Sequence, residues 1–245
     1  MNIFTHKKKK EIKILKCWDI LIITVIMFGY FILNSLLSFF NLTNSNMGEI
    51  YEFTSIDNWY SIALQGIFLF FAFAYLYFMN FDFSSWKIKI NLQSILKGIG
   101  IFVVVALIFD LYFYIMSYIF PYTNIDNSIY YEAQVGNQLL LKLLTLDISL
   151  ILYSILNGFY EEIFFLGICL SVRAEEKKYY FAYSLFVRYL FHTYQGNISA
   201  IAIGILVGVT YYFSYVKMKE KNLFPFFLAH AIADLFGSGI ISYFF

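Results

Sequence analysis

Proline, cysteine and charge are all scarce in this chain. Two prolines in 245 residues leave long stretches with nothing to break a helix. The two cysteines, Cys17 and Cys169, form no CxxC pair, and too few thiols are present for a disulfide framework. Charged residues are 13% of the chain, about half the share of a soluble domain. The net charge of +1 leaves no basic domain for nucleic acid. No HExxH zinc motif, internal repeat or low-complexity linker is present. The "GIG" at 98–100 lacks the context of a phosphate loop and reads as helix packing.

What is abundant is apolar: 61% of residues are hydrophobic and 22% aromatic. Runs near the roughly 20 residues needed to cross a bilayer cover 17–40, 59–80, 94–120, 138–172, 178–195, 198–216 and 223–245. The runs are continuous and do not alternate, which excludes an outer-membrane barrel. Lipid offers no partner for free backbone groups, so spans must be helical. The expectation is an all-α polytopic transmembrane helical bundle of about seven spans. A polybasic segment at 1–16 precedes a single transmembrane domain at 17–245, and no soluble domain fits in what remains.

Lysine and arginine set the orientation. Lys7 to Lys10, Lys13 and Lys16 precede the first run, Lys87, Lys89 and Lys97 follow the second, Arg173, Lys177 and Lys178 follow the fourth, and Lys217, Lys219 and Lys221 follow the sixth. The intervening loops carry Glu49, Glu52, Asp57, Asp126 and Glu132 but no base. Seven spans therefore put every basic loop on one side, with a cytoplasmic N-terminus. "HKKKKEIK" reads as a juxtamembrane segment that touches anionic lipid rather than nucleic acid. The first run lacks a small-residue cleavage site and reads as an uncleaved anchor.

Ionisable side chains inside such runs are costly and mark sites. Asp19 lies at a span end, and Asp110 reads as a buried hydrogen-bonded group. Lys142 can snorkel to the interface. Gln138, Lys142, Thr145 and Ser149 make one polar stripe, so the start of the fourth run can lie along the outer surface. Asp147, Ser154, Asn157 and Glu161 form a second stripe that could carry water. At a rise of about 1.5 Å per residue, Glu161 and Glu162 sit roughly 17–18 Å from Arg173. On the same scale His192 is about 21 Å from Lys178, and His230 and Asp234 are about 14 and 20 Å from Lys221. Three runs thus bring carboxylates and imidazoles to one level.

Two adjacent glutamates in low dielectric cannot both ionise cheaply and should titrate as a unit. The ionised member suits a general base acting on water. His192 and His230 can bind a metal, zinc being one option with Glu161 as third ligand, or stabilise a developing oxyanion. Asp234, four residues after His230, shares its face and can steer it. A base, a water site and an oxyanion stabiliser suit amide hydrolysis.

"YEEIFFLG", "FVRYLFHTYQG" and "LFPFFLAHAIAD" resemble, in order and spacing, the three motifs of the CAAX-protease and bacteriocin-processing (CPBP, or Abi) family of intramembrane proteases. The resemblance covers about 150–240, within a core expected at about 138–245. It implies Glu161 as the water-activating base, Glu162 as its partner, His192 and His230 as the site histidines, and Asp234 at an Asn/Asp position. It also implies an endopeptidase acting on a membrane-associated peptide or protein tail, in peptide maturation, signalling-peptide processing or bacteriocin self-immunity. The family's first motif has an arginine where this chain has Leu166. Arg188, four residues before His192 and about 15 Å deep by helical rise, is the expected replacement, paired with Glu162. Leu166 also keeps open a catalytically inactive immunity or scaffold protein. A proton-coupled transporter would use similar residues, but duplicated halves are not found. The bias toward Lys, Ile, Phe and Asn suggests a bacterial plasma membrane.

Overall fold

A computed structural model describes residues 14–40, 54–120, 142–144 and 146–243. Seven helical elements carry the fold among these: α1 (Cys17–Phe39), α2 (Ser55–Phe78), α3 (Leu92–Ile119), α4 (Ile148–Ile168), α5 (Lys177–His192), α6 (Asn197–Lys217) and α7 (Phe224–Phe236). α4 and α6 each contain a π-helical turn, over Ile163–Ile168 and Ala202–Val207. The expected all-α helical bundle is the observed architecture. α1, α2, α3, α4 and α6 are long and apolar enough to cross a membrane. α5 and α7, within two of the expected spans, are helices of 16 and 13 residues.

Local chemistry sets the boundaries. Thr54 accepts from Asp57 N while Asp57 Oδ2 accepts from Thr54 N, closing a capping box at the start of α2. Asn91 and Ser94 do the same for α3. Asp19, expected at an interface, is buried and accepts from Lys16 N at 2.8 Å and Tyr75 OH at 2.8 Å. Of the run expected from 138, residues 142–144 are helical and α4 begins at Ile148. Asp147 is its N-cap, and its carboxylate accepts from Ser55 Oγ at 2.8 Å and from the Ser149 hydroxyl. Residues 138–141 and Thr145 of the first stripe, residues 1–13 of the polybasic segment, and the acids Glu49, Glu52, Asp126 and Glu132 lie outside the described residues. Asp110 is hydrogen-bonded as expected, taking Ile240 N at 2.9 Å and Ile241 N at 3.0 Å. Both cysteines are free.

α4 sits at the centre. In its span 67% of residues are buried, against 22–33% in the other four. α7 packs against α3 and α4, α2 against α4, α1 against α5, and α5 against α6. Large apolar side chains such as Val25, Phe70, Phe71, Val104, Leu107 and Ile155 point outward, the pattern of a lipid-facing surface rather than a water-facing one. The α3–α7 contact includes Gly98, where an added β-carbon would lie 2.9 Å from Pro225 O, in accord with the packing read from "GIG". On the basic side, the loop after α2 is stitched to the loop before α7. Lys89 N donates to Asn222 Oδ1 at 2.9 Å, Asn222 Nδ2 donates to Lys89 O at 2.8 Å, and Leu223 N donates to Lys87 O at 2.9 Å. Lys89 also pairs with Glu220 at 2.8 Å, and that hydrogen bond and charge hold the Glu220 carboxyl below the usual carboxylate range.

Candidate active site

One close helix contact creates the site. At Gly158 of α4 a β-carbon would stand 2.6 Å from Phe227 O, 3.1 Å from Ala231 N and 3.3 Å from His230 Cβ, so only glycine lets α7 approach this far. The contact lies one turn before the glutamate pair and delivers His230 to it. His230 Nδ1 is 2.8 Å from Glu162 Oε1, and Nε2 is 3.5 Å from Glu161 Oε1.

Arg188 of α5 enters from the other side. Its Nη2 donates to Glu162 Oε2 at 2.8 Å, and its Nη1 lies 3.5 Å from Glu161 Oε2. The guanidinium rests 4.0 Å from the centroid of the Phe165 ring. It is 1% exposed and the largest fully buried side chain among the described residues. An arginine held this deep needs a carboxylate partner, and the expected pairing with Glu162 is present. Leu166, at the position of the family's arginine, is buried in the π turn.

The two adjacent carboxylates have different surroundings. Glu162 is 0% exposed, with one oxygen on Arg188 and the other on His230. Glu161 lines a cavity of about 510 Å³, together with Arg188, His192, His230, Asp234 and Asn157. Its Oε2 and the facing Arg188 Nη1 are both buried without a hydrogen-bond partner. The cavity is large enough to hold several waters.

An amide chain completes the arrangement. Asn157 Nδ2 donates to Asp234 Oδ2 at 2.9 Å and to Glu161 Oε1 at 3.2 Å. Gln65 Nε2 of α2 donates to Asn157 Oδ1 at 2.7 Å, which fixes the direction in which the Asn157 amide points. Asp234 also lies 3.6 Å from His230 Nε2, on the expected shared face. The sequence reading placed Asn157 only on a polar stripe and passed over Gln65. The available signal was an amide in the middle of an apolar run, costly unless hydrogen-bonded.

His192 occupies the same cavity by a different route. Its Nδ1 is 2.7 Å from Arg188 O, one turn back on its own helix. A carbonyl only accepts, so Nδ1 carries the hydrogen, and in the neutral ring Nε2 is an acceptor. Glu161, Glu162 and His230 bring ligand atoms within 4.8 Å of one another and could by distance hold a metal ion. The expected zinc set of Glu161, His192 and His230 is not the one gathered, because His192 is turned toward its own backbone and Glu162 takes its place.

No curated protein and no solved structure matches the chain. Residues 144–236 hold every site residue described above except Gln65. They match the model of the family described as Type II CAAX prenyl endopeptidase Rce1-like. The resemblance carried by the three motifs is thereby shown over residues 144–236, where the chain is similar to the CAAX-protease and bacteriocin-processing family of intramembrane proteases.

Proposed function

We propose that the protein is an intramembrane endopeptidase that hydrolyses a peptide bond in a membrane-associated peptide or protein tail, with Glu161 as the base that activates water. The carrying observation is the unequal treatment of two neighbouring carboxylates. Glu162 spends both oxygens on Arg188 and His230, whereas Glu161 presents an unpartnered Oε2 to a cavity. A water between Glu161 Oε2 and Arg188 Nη1 would satisfy both atoms. Glu161 takes one proton from it, and the neutral His192, through Nε2, accepts the other hydrogen and orients the attack. As the water oxygen bonds to the carbonyl carbon, Arg188 Nη1 and the His230 ring stabilise the oxyanion. The C–N bond then breaks, and the proton on Glu161 passes to the leaving nitrogen. In this reading His192 serves the water, in place of the metal-binding or oxyanion roles read from the sequence.

The donor set fits a dication poorly. A metal on Glu161, Glu162 and His230 would displace Arg188 and His230 from Glu162, and would sit beside a guanidinium that already balances one of the two carboxylates. No step here passes through a metal. Arg188 supports a working site despite Leu166, which removes the main reason to favour an inactive immunity or scaffold protein. Peptide maturation, signalling-peptide processing and bacteriocin self-immunity in a bacterial plasma membrane are the settings we propose. Incubating the purified protein with a peptide library, beside a Glu161→Ala control, tests the reading. Cleavage by the parent alone is expected, and equal cleavage by both, or by neither, overturns it.

A further inference from the structure

The position of the basic loops and the shape of the cavity together bear on where a substrate enters. Apart from Lys142, shortly before α4, the lysines and arginines of the loops among the described residues lie at one end of the bundle, at the start of α1, α3, α5 and α7 and the end of α2, α4 and α6. From Glu161 toward that end the way is closed. Every residue from Glu161 to Leu170 is buried, Leu223 and Phe226 of the α7 entry are 0% exposed, and the two loops stitched by Asn222 lie beyond. Trp86, next to Gly167, donates to Ser171 Oγ at 3.3 Å on the same side.

Toward the opposite end the lining changes character. The cavity continues past Gln65 and Tyr153 to Ser61 near the start of α2, Ser38 near the end of α1, Gln195 just after α5 and Ser238 just after α7. Burial falls in the same direction, from Glu161 and His192 to the exposed Tyr194 and Gln195. The outer lining is neutral and hydroxyl- or amide-bearing, and Phe28, Phe31 and Phe191 form its apolar wall. Such a passage suits an extended peptide with uncharged side chains, whose backbone the hydroxyls and amides can hydrogen-bond.

The geometry points to a substrate that enters from the face opposite the basic loops. By the positive-inside bias that face is extracytoplasmic. The substrate class is then an exported or membrane-inserted peptide presented from outside the cytoplasm, not a cytoplasmic tail. The class rests on the endopeptidase reading proposed above, but the route of entry does not.

The test uses thiol accessibility in the full-length protein in sealed membrane vesicles of known orientation, with a membrane-impermeant maleimide. Cys17 is exposed at the basic end and serves as internal reporter of that side, with Lys219→Cys as a second. Ser38→Cys, Ser61→Cys and Ser238→Cys, each in a Cys17→Ser background, report the passage, and Cys169 is buried in the closed end. The passage thiols should react only from the side opposite to that on which Cys17 and Lys219→Cys react, at least tenfold faster than from the other, and Cys169 should stay unmodified. Reaction from the same side as Cys17, from both sides, or from neither overturns the inference. Cleavage measured on the same preparations separates the two readings. Opposite-side labelling without any cleavage leaves the route standing and removes the endopeptidase. Cleavage with same-side labelling does the reverse.

Discussion

Arg188 Nη2 on α5 lies 2.8 Å from Glu162 Oε2 on α4, 26 residues away in sequence and fully buried. The cation that the family motif places one turn after the glutamate pair is supplied here from the next long helix. Removing one partner of such a pair leaves a bare charge, at a typical cost of about 3–5 kcal/mol. Arg188→Leu should therefore lower the thermal midpoint sharply and abolish cleavage. Leu166→Arg added to it should restore part of both, because it returns a guanidinium to Glu162 from one turn away. Thermal unfolding and cleavage assays on the parent, the two single variants and the double variant decide it. A harmless Arg188→Leu would remove the pairing from the account.

Glu162 should behave as a scaffold for its neighbours. Glu162→Gln strands the guanidinium and weakens the bond to His230, so stability should fall by about 3–5 kcal/mol. Glu161→Gln touches less of the network and should unfold within about 1 kcal/mol of the parent. Chemical denaturation of the two proteins side by side checks the contrast, and equal losses would contradict the division of labour.

Gly158 is the contact that brings α7 to α4. Gly158→Ala places a methyl 2.6 Å from Phe227 O, and overpacking of this kind typically costs about 1–3 kcal/mol. Because the strain falls beside His230, cleavage should drop more than stability alone explains. Measuring activity well below the unfolding temperature separates the two effects. Undiminished turnover there would show that the site tolerates a wider gap.

The two histidines should fail differently. His230→Ala removes a partner of Glu162 and should cost both stability and activity. His192→Ala loses one bond to a backbone carbonyl and should cost mainly activity. Groups acting as a unit are non-additive, so the double variant should cleave little less than either single one. A chelator should leave the parent unaffected. Loss of activity to chelator and its return with zinc would reinstate a metal.

Gln65→Leu should lower kcat about tenfold with KM nearly unchanged, since it frees the Asn157 amide to rotate away from Glu161 and Asp234 without touching substrate. A raised KM at constant kcat would make Gln65 a substrate contact instead.

The bundle, the meeting of ionisable groups from three helices and the three motif-bearing helices were legible in the sequence, because hydropathy and a 1.5 Å rise are local properties. The Arg188–Glu162 pair was legible for the same reason: both depths could be counted from nearby basic loops. The start of α4 was not. Asp147 is the N-cap residue of α4, and its carboxylate is held by Ser55, which is 92 residues away. Gln65 escaped for the same cause, its partner Asn157 being 92 residues distant. His192 was placed in the site, but the orientation of its ring depends on a bond to its own helix that composition does not reveal.

The most direct test of the central claim is cleavage in water enriched in oxygen-18, with products read by mass spectrometry. If Glu161 activates water, the parent protein should yield a peptide whose new C-terminal carboxylate carries one heavy oxygen. Glu161→Gln should yield it more than 100-fold more slowly, as expected when a general base is lost. Heavy-oxygen product from Glu161→Gln at the parent's rate, or none from the parent across the library, would contradict the account.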